Sequence, residues 1–125
     1  MNKRYITKDS GKRELFKSGM VRDFDSDKPR FDLIIPLGQK YEDTLLYRLA
    51  MLMNRGTKKY SERNWEKANS REELDRAKSS AFRHFMQWFC EEEDEDHASS
   101  LFFNIIEAEL IKQKIKNLGV KLKTR

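Results

Sequence analysis

Residues 91–96 are six consecutive carboxylates, Glu91-Glu92-Glu93-Asp94-Glu95-Asp96, followed by His97. No regular buried element can carry such a run, because unpaired carboxylates repel one another and are costly to remove from water. The run therefore marks a break between two elements. Its flanks are apolar, FRHFMQWFC before and ASSLFFNIIEAEL after, so two packed helices joined by an acidic turn are expected. Crowding carboxylates at a packed junction costs repulsion that a divalent cation offsets, since hard cations take oxygen ligands from several carboxylates at once. A solvated acidic turn without an ion is the alternative.

At 125 residues, 38% apolar with eight Phe, the chain is sized for one domain with a modest core. A charged fraction of 38% with five Gly and two Pro favours helices over a turn-rich β fold. The longest apolar stretches fall far short of the ~20 residues that span a bilayer, and the N-terminal MNKRYITKDSGKR lacks an apolar signal region. A soluble, cytoplasmic protein with no membrane partner is expected. The single cysteine, Cys90, has no intrachain partner and reads as a packing residue. Residues 1–30 hold nine Lys/Arg and five Asp/Glu, and residues 112–125 hold six and none. With a total of +5, the centre, 31–111, therefore carries −5. Basic ends can touch nucleic acid, but an acidic centre argues against a long nucleic-acid groove.

Periodicity orders the rest into an all-α protein, a small bundle of three main helices with an extended N-terminal arm. Residues 1–27 lack sustained periodicity and read as an irregular arm. Lys28 to Pro36 reads as extended, since each proline biases its predecessor away from helix. From about Lys40, Tyr41, Leu45, Leu49, Leu52 and Met53 recur at helical spacing, with Gly56 as a stop. Ser70 stands three residues before Glu73, the capping-box spacing, and opens a helix running to about Cys90 along Leu74, Ala77, Ala81, Phe85 and Trp88. The third helix runs from about Asp96 to Asn117, carrying Ala98, Leu101, Ile105 and Ala108, with Gly119 beyond. Residues 28–117 thus form the domain and 118–125 a basic tail.

Three chemistries suggest themselves. His84 precedes Glu91 and Glu92 by two turns, and His97, Asn104 and Glu107 share a face of the next helix. An antiparallel pair would gather Glu92, Glu95, Asp96, Asn104 and Glu107 into one pocket with both histidines at its rim. All-oxygen ligands favour Mg²⁺ or Mn²⁺ over zinc. Lys28, Arg30, Lys58, Lys59, Arg63 and Arg83 offer cations for phosphate, each equally readable as surface charge. Tyr60, Asn64 and Trp65 offer an aromatic face and an amide for a base, with Trp65 as a core plug as the alternative.

The segments SGMVRD (18–23), KPRFDLIIP (28–36), YEDTLLYRLAMLMNRGTKKYSERNWEKA (41–68), SAFRHFMQWF (80–89) and EEDEDHASSLFFNI (92–105) resemble the bacteriophage dATP/dGTP diphosphohydrolase domain, a MazG-like family of small α-helical nucleotide pyrophosphohydrolases. The resemblance implies Mg²⁺- or Mn²⁺-dependent hydrolysis of purine deoxynucleoside triphosphates to monophosphate and pyrophosphate. It implies Glu92, Glu95 and Asp96 as metal ligands, with His97 or Glu107 completing the set, and a catalytic base among these carboxylates. Lys28, Arg30, Lys59 and Arg83 would then hold phosphates, with Tyr60, Asn64, Trp65, His84 and Asn104 also facing substrate. A homo-oligomer is expected as well, since three helices with this many aromatics leave apolar surface on a monomer and related pyrophosphohydrolases assemble as oligomers. One departure stands out, since MazG-type enzymes show Glu-x-x-Asp on the second ligand helix where this chain has Asn104-Ile105-Ile106-Glu107. The rival reading is a phage protein that sequesters a nucleotide or signal without turnover.

Overall fold

The computed structural model describes residues 4–24 and 27–118. The chain divides into two compact units, Met1–Pro36 and Leu37–Arg125. In the first, the expected irregular arm contains a hairpin in which β1 (Arg13–Leu15) pairs antiparallel with β2 (Val21–Asp23). Glu14 faces Arg22 across the ladder, and the Arg13 guanidinium lies 3.2 Å from Asp23, an opposite-charge pairing that favours this register. The turn closes through Gly19 at φ +90, a conformation that glycine adopts without the clash a Cβ would bring. Strands of three residues are too short to show the alternation by which strands are read.

The 28–36 stretch is not extended throughout, because Phe31–Ile34 closes a 3-10 turn with Leu33 N–H donating to the Arg30 carbonyl at 3.1 Å. Each proline restricts only its predecessor, and Ile35 is indeed extended. The residues between are free to turn.

The second unit holds α1 (Leu45–Thr57), α2 (Arg71–Phe89) and α3 (His97–Asn117). Each start is set by a side-chain cap. Thr44 accepts from Tyr47 N–H, which delays α1 past the separate 3-10 turn at Tyr41–Asp43. Ser70 accepts from Glu73 N–H while Glu73 reaches back to Asn69 N–H and the Ser70 hydroxyl, the reciprocal cap expected from the sequence. Asp96 accepts from Ser99 N–H and so opens α3. Gly56 lies inside α1, and Gly119 is outside the described residues.

Helix α3 is central, packing against α2, α1 and a 3-10 turn at Asn64–Lys67. Lys114 of α3 donates to the Glu66 carbonyl and ties that turn down. The core is Ala68, Leu74, Ala77, Ala108, Ile111 and Ile115. Full burial of Leu74 and Ile111 contributes about 2 kcal/mol each.

The aromatic flank of the acidic run is not packed in the single chain. Phe82 and Phe89 are each 67% exposed and Trp88 is 49% exposed. Helix α2 presents the narrow stripe Leu74, Ala77, Ala81 and His84 to its neighbours, and its rings project from the remaining surface. Cys90, expected to pack, is exposed because the chain turns away from the core at the end of α2. No described helix is long and apolar enough to cross a membrane.

Candidate active site

The pocket expected from helical spacing is in fact two depressions. The run cannot continue α2, since Cys90 ends the helix and Glu91 takes a left-handed φ of 61. Glu91 N–H bonds the Trp88 carbonyl and Glu92 N–H the Gln87 carbonyl, the paired closure of a helix C-terminus. Glu91 and Glu92 therefore share no helical face with His84. Asn104 lies seven residues into α3 from His97, about 10 Å along the axis at 1.5 Å per residue. The acidic run thus surrounds one end of α3, and Asn104 and Glu107 line another place.

The acidic depression, about 330 Å³, lies between Arg48, Trp88 and the residues from Glu91 to Ala98 other than Asp94. At its edge Glu92, Asp94 and His97 each bring one ligand atom to within 4.8 Å of the others, with Glu92 and His97 lining the depression and Asp94 outside its lining. Two carboxylates and an imidazole form a donor set that suits a divalent cation. Gln87 donates to Glu92 at 3.0 Å, while its own Oε1 is buried without a hydrogen-bond partner among the described residues. Glu95 lines the same depression outside this trio.

Asp96, expected as a ligand, is held differently. Arg48 grips it through Nε at 3.0 Å and a terminal nitrogen at 2.6 Å, and Ser99 donates from backbone and hydroxyl. The Arg48 hydrogen bonds, with those of Ser99, lower its carboxyl from an ordinary 3.8 to about 2. Both oxygens are engaged in fixing the start of α3.

Below the run lies a buried histidine pair. His84 and His97, expected at a rim, are 7% and 2% exposed. Their Nδ1 atoms are 2.9 Å apart, and His97 Nε2 is 2.6 Å from Asp94 Oδ1. That hydrogen bond is the main reason the Asp94 carboxyl titrates below its usual range. His84 titrates low because burial disfavours its charged form, with Arg83 and His97 adding to the effect. The Arg83 guanidinium lies 3.5 Å from His84 Nε2, and among the described residues no carboxylate forms an ion pair with it.

The second depression, about 850 Å³, is lined by Tyr60, Asn64, Trp65, His84, Phe103, Asn104 and Glu107 among others. Trp65 packs edge-on against Phe103 with ring centroids 5.5 Å apart. It is half-buried, so it both closes the loop onto α3 and lines the cleft. Asn104 donates to the Ser100 carbonyl at 2.7 Å. Glu107 titrates above its usual range, first because of burial and then because Glu73 is near. Lys59 lies 5.2 Å over the Tyr60 ring. Arg63 is paired with Glu66 at 2.6 Å. Lys28 and Arg30 belong to the N-terminal unit, where Lys28 lies 3.7 Å from Asp23 and Arg30 pairs with Asp32.

This layout joins a sequence match. The family model for the dATP/dGTP diphosphohydrolase N-terminal domain covers residues 18–114. The chain belongs to that family. No curated protein and no solved structure matches it. The family's name is that of a nucleotide hydrolase, and of the two depressions one is lined by carboxylates and the other by aromatic rings and amides.

Asp94, though part of the acidic run, is not singled out as a site residue by the sequence, and neither are Arg48, Gln87 and Phe103. The spacing Asp94-x-x-His97 could have flagged Asp94. Arg48 carries no comparable signal, because its partner is 48 residues away.

Proposed function

We propose that this domain hydrolyses purine deoxynucleoside triphosphates, dATP or dGTP, to the monophosphate and pyrophosphate with Mg²⁺ or Mn²⁺. The observation that carries the reading is the shared wall. His84 lines the aromatic cleft, His97 lines the acidic depression, and the two are bonded to each other. The base would lie against Trp65 and Tyr60, with the Asn64 amide reading its edge. The triphosphate would extend toward the acidic depression, with Arg83 and Lys59 neutralising its oxygens. Glu92, Asp94 and His97 would hold the cation, which would polarise the phosphates and lower the pKa of a bound water. Glu95 lies beside that trio and would accept the proton of the attacking water. Glu107, in the cleft, would contact substrate rather than metal. The family match supports the substrate class, and the donor trio supports the metal.

We also propose self-association through the exposed aromatic row of α2, since Phe82, Phe85, Trp88 and Phe89 leave a contiguous apolar surface. Sedimentation of the native chain against Phe89→Glu checks this, and a native monomer would rule it out.

The test of activity is pyrophosphate release from a panel of nucleoside triphosphates with Mg²⁺ or Mn²⁺, or with chelator. Metal-dependent release from dATP or dGTP, abolished in Glu92→Gln, is the expected result. Nucleotide binding without release would overturn hydrolysis and leave a sequestering protein.

A further inference from the structure

The chain Asp94, His97, His84, Arg83 is continuous, with steps of 2.6, 2.9 and 3.5 Å. Its hydrogen positions follow from its ends. Asp94 is a carboxylate and accepts only, so His97 carries its proton on Nε2. A neutral His97 then has a bare Nδ1. The bond between the two Nδ1 atoms needs one proton, which His84 must supply. That leaves His84 Nε2 bare, and 3.5 Å from it lies a donor, the Arg83 guanidinium. Each link is consistent with the next, and His84 carries its proton on Nδ1.

We propose that the histidine pair is a tautomer switch connecting the cation site to Arg83, so that loading the cation in the acidic depression releases Arg83 for a phosphate oxygen. The inference rests on the metal site proposed above. His97 Nδ1 is taken by His84, so the nitrogen it offers to a cation is Nε2. With Nε2 so engaged, the proton of His97 resides on Nδ1 and is donated to His84 Nδ1. His84 in turn carries its proton on Nε2. The proton displaced from His97 Nε2 leaves to solvent through the acidic depression, the His84 Nδ1 proton crosses to His97 Nδ1, and His84 Nε2 takes one from solvent in the cleft it lines, so the pair holds two ring protons before and two after. His84 Nε2, an acceptor for Arg83 in one state, is a donor in the other and no longer binds the guanidinium. Arg83 has no carboxylate partner among the described residues to capture it instead.

The structure is built for such a switch. The two residues are buried and their Nδ1 atoms meet directly at 2.9 Å, which leaves no room for a bridging water. Burial, Arg83 and His97 all disfavour a charged His84. A tautomeric change is the response that introduces no charge.

The chain has only two histidines, so ring ¹⁵N spectroscopy reads the switch directly in the native protein. Two-bond ¹H–¹⁵N correlations would be recorded after chelation and then with Mg²⁺ or Zn²⁺, both diamagnetic. Expected without metal are His97 protonated at Nε2 and His84 at Nδ1, the latter being the minor form of free histidine. Expected with metal are a ligated His97 Nε2, His97 protonated at Nδ1 and His84 at Nε2. A second spectrum, of the Arg83 side chain, should show faster solvent exchange once metal is bound. If His97 Nε2 is ligated while His84 keeps its proton on Nδ1, the switch is overturned and the metal site stands. If His97 responds to neither ion, the metal site fails at His97 and the switch fails with it.

Discussion

Replacing Asp96 separates a structural carboxylate from a catalytic one. Its oxygens cap α3 through Ser99 and receive two hydrogen bonds from Arg48. Losing an N-cap costs about 1 kcal/mol. The ion pair adds about 1 kcal/mol, discounted because the Arg48 side chain is 42% exposed. Asp96→Ala should therefore destabilise by about 2 kcal/mol. Asp96→Asn keeps a good cap, loses the charge and should cost about 1 kcal/mol. Linkage provides an independent check, because a carboxyl at 3.8 unfolded and about 2 folded corresponds to roughly 2 kcal/mol at 1.36 kcal/mol per pH unit. The folded value is depressed, so this stability is present above pH about 4 and is lost as pH falls toward 2. Urea unfolding of native and variant chains from pH 7 to 2 should show a gap between the native chain and Asp96→Asn that closes over that window. Equal losses for Asn and Ala would refute the capping argument. Loss of metal-dependent turnover in a fully folded Asp96→Asn would show Asp96 to be a ligand after all.

Glu107 presents the opposite sign. Its folded value is raised, so the domain is penalised as pH rises through it, and Glu107→Gln should leave stability unchanged near pH 4 and raise it at pH 7.5. Equal gains at both pH values would contradict the burial argument. Glu91→Gly should stabilise by about 1 kcal/mol, since a left-handed residue after a helix costs strain that glycine avoids, and thermal unfolding would reveal a loss instead if Glu91 were engaged elsewhere. Trp65→Ala should weaken nucleotide affinity roughly 10-fold or more, the scale of one base stacked on an aromatic ring. Unchanged affinity by calorimetry would assign Trp65 to packing against Phe103 alone.

Local chemistry made much of the fold legible. Ser70 and Glu73 announced α2, and the acidic run announced where α2 must stop and α3 begin, because caps and charge repulsion act within a few residues. The helical periods of α1, α2 and α3 were likewise visible. The Gly19 turn escaped because its strands are too short to alternate. That aromatics would be left over was legible, but which rings of α2 face outward was not, because a period tells which residues share a face, not which face finds a partner.

The candidate site divided along the same line. Sequence alone marked the acidic run, His84, His97, Asn64 and Trp65 as chemically capable, since residue type decides what can ligate, donate or stack. It could not tell which carboxylates were available. Only the tertiary structure decided that, by bringing Arg48 of α1 onto Asp96 and turning Glu91 out of the helix. The same packing of α2 on α3 set two histidines 13 residues apart Nδ1 to Nδ1, a contact that depends on helix register and crossing rather than on any spacing in the chain.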